Sequence, residues 1–179
     1  TNLSALGSLT NLETLDVSYN SLSSIAPIAT CQKLSWLNVN NNALVNLGAV
    51  DNIPALTYLN AAYNDLNDAA VLANCTSLTE LDISNNDLTD ISSLGSLSKL
   101  EILNFSHNEV TALPSWADGS VLRSIDGSYN KLTSLSNLKN MLELTHVYMD
   151  YNEITTVAPL EKCYKLVMVN IYGNAIEGV

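Results

Sequence analysis

Basic residues are scarce in this 179-residue chain: seven Lys plus Arg stand against 18 Asp plus Glu, a formal net charge of -11. A field of that sign repels phosphates and anionic lipid, so nucleic acid is not an expected ligand. Long apolar runs are missing too. No stretch approaches the ~20 consecutive apolar residues that span a bilayer, so no membrane insertion is expected. There are only two histidines, His107 and His146, and no glycine-rich phosphate cradle. No hydroxyl, imidazole and carboxylate align as a triad. These absences leave no candidate catalytic residue, metal ligand or cofactor site, and the chain is not expected to be an enzyme. The sequence opens at Thr1 with no signal-peptide pattern, so any targeting segment is expected to have been removed or to lie outside it. With 47% hydrophobic residues the chain is not disordered, and its length suits one domain with a substantial core.

What is abundant is asparagine in register. Asn20, Asn42, Asn64, Asn86, Asn108, Asn130, Asn152 and Asn174 follow one another every 22 residues without insertion or deletion. Each sits in the same apolar frame, LxxLxLxxNxL, from Leu12, Leu15, Val17, Asn20, Leu22 to Leu166, Val169, Ile171, Asn174, Ile176. Counted from the first leucine, the asparagine is position 9. A fixed period of this size marks a solenoid whose single repeats cannot bury their apolar face alone.

Positions 3 to 7 are predicted to form a strand, with 4 and 6 facing the core and 3, 5 and 7 facing outward. Beyond the asparagine, apolar residues recur every third residue at positions 11, 14, 17 and 20, as in Leu88, Ile91, Leu94 and Leu97. That is the period of a 3-10 turn. An arc of turns is wider than a strand, so the stack should curve with its sheet on the inner side. The asparagine is expected to satisfy buried backbone groups with its donor and acceptor.

Cys31, Cys75 and Cys163 all fall at position 20, where other repeats carry Ile53, Leu97 and Met141. Coils stacked at ~4.8 Å put Cys31 and Cys75 near ~10 Å apart, whereas a disulfide spans about 7 Å at most between Cα atoms. Three buried free thiols are expected. In the fifth repeat Trp116 stands at position 17 beside Gly119 at position 20, which reads as compensatory packing. In the sixth, Gly127 at position 6 faces Phe105 and Met149, which should fill its space. The sequons at Asn2, Asn74 and Asn104 are expected by chance in so asparagine-rich a chain. Leu3, Leu6 and Leu9 match positions 14, 17 and 20, and Val179 returns to position 14. Neither end carries a polar cap, which is read as a segment of a longer protein or as ends covered by a neighbour.

The frame over essentially the whole chain resembles the leucine-rich repeat family, in the 22-residue subclass that includes bacterial internalins and the phosphatase-regulator repeats. The resemblance implies an α/β solenoid: a right-handed leucine-rich repeat horseshoe with a concave parallel β-sheet and a convex side of 3-10 or irregular turns. It spans residues 1–179 as a single domain of eight repeats.

The expected site is the concave face. Position 3 presents Thr14, Trp36, Tyr58, Glu80, Ile102, Ser124, His146 and Met168, and position 5 presents Asp16, Asn38, Asn60, Asp82, Asn104, Asp126, Tyr148 and Asn170. Exposed aromatics on a rigid strand surface suit a protein interface; the bland alternative is that they only stack on one another between repeats. From these columns Trp36, Tyr58, Glu80, Asp82, Ile102, Asp126, His146, Tyr148 and Met168 are the candidate binding residues. Tyr19 and Tyr63, at position 8, lie near the rim of the first aromatic cluster; Tyr151 and Tyr172 extend a second.

Acids gather on the inner face and its edges, at Glu13, Asp16, Glu80, Asp82, Glu101, Asp126 and Asp150, with only Arg123 opposed. A protein partner with a basic surface is the natural complement, and solvation of the acids is the bland reading. No two position 5 aspartates are neighbours, which favours a self-satisfied ladder of Asx side chains over a cation site. The resemblance implies an extracellular or cell-surface bacterial recognition module; an intracellular scaffold like the phosphatase-regulator repeats, and a passive spacer, are the alternatives.

Overall fold

The computed structural model describes residues 3–177; Val179 and the sequon asparagine Asn2 lie outside them. Eight three-residue strands form one parallel sheet: β1 (Thr14–Asp16), β2 (Trp36–Asn38), β3 (Tyr58–Asn60), β4 (Glu80–Asp82), β5 (Ile102–Asn104), β6 (Ser124–Asp126), β7 (His146–Tyr148) and β8 (Met168–Asn170). They lie side by side in chain order. Every pairing is in 22-residue register, Leu37 against Leu59 and Leu59 against Leu81.

The strands are shorter than positions 3 to 7. At position 8 the chain turns into the left-handed region, with φ between 49° and 56° at Tyr19, Asn41, Tyr63, Asn85, His107, Tyr129 and Tyr151. Hydrogen bonding between coils nevertheless continues past the strand: Val17 N–H donates to the Asn38 carbonyl at 2.9 Å, Tyr19 N–H to Asn40 at 3.0 Å, and Asn20 N–H to Asn41 at 3.1 Å. Position 7 is also a correction. Ala62, Ser84, Ser106 and Ser128 are buried rather than outward, because these small side chains tuck under the position 5 carboxylates and carboxamides.

The far side consists of 3-10 turns, among them Ala26–Thr30, Gly48–Asn52, Ala70–Asn74 and Ser92–Ser96; no α-helix occurs among the described residues. Their bonds explain the three-residue apolar period. Ile28 N–H donates to Ile25, Cys31 to Ile28 and Leu34 to Cys31, at 2.9–3.0 Å, so every third residue both closes a turn and points inward. Side chains at position 13 start several of the turns, as where Asp68 and Asp90 accept the Ala70 and Ser92 N–H groups at 2.7 Å. The sheet is the concave wall of a horseshoe and the turns its convex wall.

The asparagine ladder performs the expected task. The Asn86 carboxamide donates to the carbonyls of Ala61, Ile83 and Ser84 at 3.0–3.1 Å, and accepts Leu66 N–H at 3.0 Å. It joins two coils and closes its own. The three cysteines are free and buried, each with its thiol directed at a carbonyl of the coil before, Leu6, Val50 and Leu138. A Cβ on Gly127 would overlap the Phe105 ring and lie 3.0 Å from the Met149 sulfur, so the two larger neighbours do occupy its space. In the fifth coil Trp116 packs on the core, yet the arc around it loses its 3-10 turn and opens a cleft of about 130 Å³ between Gly95–Ser98 and Trp116–Ser120. The indole Nε1 there is buried without a partner. In the last described coil the position 4 residue Val169 is 40% exposed, whereas Leu81 in mid-stack is fully buried.

Candidate functional site

Strand pairing fixes the inner face as a grid. Trp36 pairs with Tyr58 across β2 and β3, and their rings stack with centroids 4.9 Å apart and planes within 7°. Both are partly buried and neither enters the core. The Tyr58 phenol is raised above its ordinary value, first by loss of water and then by the carboxylates of Glu80, Asp82 and Asp16. Glu80 and Ile102 continue the column, and Ile102 is 42% exposed, an apolar side chain held out from the middle of the sheet.

At the C-terminal end His146 and Tyr148, two residues apart on β7, lie 6.2 Å ring to ring. His146 Nδ1 is 2.9 Å from the Thr145 hydroxyl, and Met168 sits beside the imidazole by strand register. The structure thus forms two patches: Trp36 with Tyr58, and His146, Tyr148 and Met168. Glu80, Ile102 and Asp126 lie between them.

The position 5 column is largely occupied with its own backbone. Asp82 Oδ1 accepts both the N–H and the hydroxyl of Ser84, at 2.9 and 2.7 Å, and its Oδ2 accepts the Asn104 carboxamide at 3.4 Å. Asp126 accepts Ser128 N–H at 3.0 Å. The same bonds from Ser18 hold the Asp16 carboxyl below the usual carboxylate range. This is the self-satisfied ladder. Among the described residues no three His, Cys, Asp or Glu side chains gather as a metal site. Arg123 opposes one of the acids of the inner face and its edges, its Nε pairing with Glu101 at 3.4 Å.

The strand-exit rim carries residues absent from the candidate set. His107, Tyr129 and Tyr151 stack in sequence at 4.2 and 4.5 Å, and Tyr172 closes on Tyr151 edge-on at 5.4 Å. The Tyr151 phenol is raised, by loss of water first and by the flanking phenols second. Gly173, at φ +72°, leaves bare backbone where a Cβ would lie 2.8 Å from the Tyr151 ring. A left-handed position costs a non-glycine residue roughly 1–2 kcal/mol, and here seven recur in one column. The sequence signal was Asn41, Asn85, His107 and Gly173, residue types that tolerate this region; the tyrosines between them masked it.

With this geometry in place, the comparisons agree. Residues 10–66 match the family described as leucine rich repeat, and residues 76–118 the family described as leucine rich repeats in two copies. The chain belongs to the leucine-rich repeat proteins. Among solved structures it resembles an internalin of Listeria monocytogenes, inlF, at TM-score 0.85 and 26% identity, over 100% of this chain and 59% of that one. It also resembles internalin C2 of the same organism, at 0.88 and 25%, over 97% and 77%. A leucine-rich repeat protein of Leptospira interrogans shares the fold at 0.80 and 24% identity, over 96% of this chain and 52% of that one. No curated protein sequence matches. Among the described residues no helix is long and apolar enough to cross a membrane.

Proposed function

We propose that the chain is a protein-recognition module of internalin-like type, secreted or held at a bacterial cell surface, which grips a partner through its concave sheet. The eight coils act as one domain in this reading. One observation carries it: the face is one continuous hydrogen-bonded sheet, yet it holds Trp36, Tyr58, Ile102 and Tyr148 partly or largely open to solvent. Large contact area on fixed strands costs little entropy on binding. The surrounding carboxylates of Glu80 and Asp126 favour a partner with a basic surface. Binding rather than catalysis fits a face whose polar groups are mostly engaged with their own backbone.

The test is a triple substitution, Trp36→Ala with Tyr58→Ala and Tyr148→Ala, in capture of partners from host and bacterial extracts at low and raised salt. Recognition by the sheet predicts loss of the captured protein at unchanged circular dichroism. A passive spacer would lose nothing, and retained capture in both conditions would refute the assigned face.

A further inference from the structure

The exit rim contains an aromatic column with two rungs missing. Its position 8 residues share one backbone conformation, φ 49–56°, so Tyr19 and Tyr63 leave the chain in the same direction as Tyr129 and Tyr151. Where aromatic residues follow one another the rings stack, His107 on Tyr129 and Tyr129 on Tyr151. Where asparagine intervenes they do not. Among the described residues no ring stacks on Tyr19 or Tyr63, and they are 79% and 55% exposed against 45% for Tyr129 and Tyr151.

Asn41 and Asn85 are too short to fill the space between their neighbours. Twice the stacking distance puts Tyr19 and Tyr63, and likewise Tyr63 and His107, about 9 Å apart; a planar group midway would lie within the ~6 Å reach of a cation on an aromatic face on both sides. The floor of each slot is polar and free. The position 5 and position 9 side chains of these coils are hydrogen-bonded, Asn38 and Asn42 in one and Asp82 and Asn86 in the other, whereas the carboxamides of Asn41 and Asn85 make no hydrogen bond among the described residues. Two residues beyond position 8 in the coils of Tyr63 and Asn85, the carboxylates of Asp65 and Asp87 are exposed, neither of them in an ion pair among the described residues.

We infer that the two slots receive two arginine side chains from a basic protein segment. Guanidinium is the side-chain group that is both planar, to stack between rings, and cationic, to answer the carboxylates, with N–H donors for the asparagine floor. An anionic guest is repelled by the rim, and a neutral aromatic guest leaves the carboxylates unused. The slots are themselves about 9 Å apart. An extended polyproline-type segment advances ~3.1 Å per residue with three residues per turn, so arginines three apart reach both slots from one face. This rests on the chain being a protein-binding module, and adds to the sheet a second line of contact that reads arginine spacing.

The experiment titrates the protein with a synthetic peptide containing Arg-Pro-Pro-Arg and with its Lys-Pro-Pro-Lys counterpart, read by fluorescence anisotropy. At least tenfold tighter binding of the arginine peptide is expected. Asn41→Tyr with Asn85→Tyr completes the column with a residue this position already accepts, and should weaken binding tenfold or more at an unchanged melting temperature. Should that variant fold poorly, Tyr63→Leu removes the wall common to both slots and should weaken binding likewise. The concave triple variant should bind the peptide as the parent does. Equal binding of both peptides, or full binding after the slots are filled or their shared wall removed, overturns the proposal and leaves the sheet reading untouched. Loss of peptide binding in the triple variant would move the contact to the sheet and overturn it too.

Discussion

Asparagine at position 9 shows how much one side chain can hold. Asn86 makes three donor contacts and one acceptor contact, all to backbone groups. Its replacement by leucine would leave the Leu66 N–H without an acceptor, at ~1–3 kcal/mol for a buried group that water cannot reach, while the three carbonyls each keep one donor, from Asn64, Asn108 and the Tyr63 N–H. Asn86→Leu is therefore expected to destabilise the protein by ~1–3 kcal/mol in denaturant unfolding. Asn20→Leu should cost much less, because Asn20 is exposed and only two intracoil bonds, to Val17 and Ser18, are at stake. Equal effects would show that water substitutes for the ladder.

The cysteines give a pH signature at the same scale. Burial pushes the Cys75 thiol up to about 11, with the Asp51 carboxylate adding to it. The folded state therefore holds its proton more tightly than the unfolded chain, whose thiol ionises near ~8.5. The stabilisation this brings is fully present below that value and is lost as pH rises through about 11. Denaturant midpoints should fall above pH ~9, and native protein at pH 8 should resist thiol reagents that label it once unfolded. Rapid native labelling of Cys75 would contradict its placement in the core.

At the scale of the element, the turns and the sheet were legible because their periods differ: three residues on the arc, two on the strand. The columns of the inner face followed, with Trp36 beside Tyr58 and Met168 beside His146. A period of two says which way a side chain points and nothing about what its oxygens accept. That is why Asp82 and Asp126 stood among the candidates on equal terms with Ile102, although each spends an oxygen on the backbone two residues on. The buried position 7 serines have the same origin, since pattern alone does not show a small side chain folding under its neighbour. The rim tyrosines were legible as aromatics at the strand exit, but their left-handed backbone was not, because tyrosine carries no such preference and the bonds between coils impose that conformation on it. The cleft beside Trp116 arises where Gly119 leaves position 20 without a side chain, and volume is not conserved residue by residue along an arc.

Across the molecule the hydrogen bonds between coils, among the described residues, join each coil to the ones beside it, so stability is a chain of nearest-neighbour terms. Interior coils are covered on both sides, while Val169 and Ile176 in the last described coil stand open at positions that are buried in mid-stack. Hydrogen exchange should be slowest in β3 to β6 and fastest in β8, with a gradient between. A single exchange rate for all strands would mean that the stack opens only as a unit.

The unbroken pitch bears on how such a molecule can vary. Recombination between any two turns joins backbones in equivalent phase, so the horseshoe can be lengthened or trimmed by whole windings with no seam to repair. What remains for selection to act on is the lettering of each column, and a rim that alternates tyrosine with asparagine is lettering of that kind.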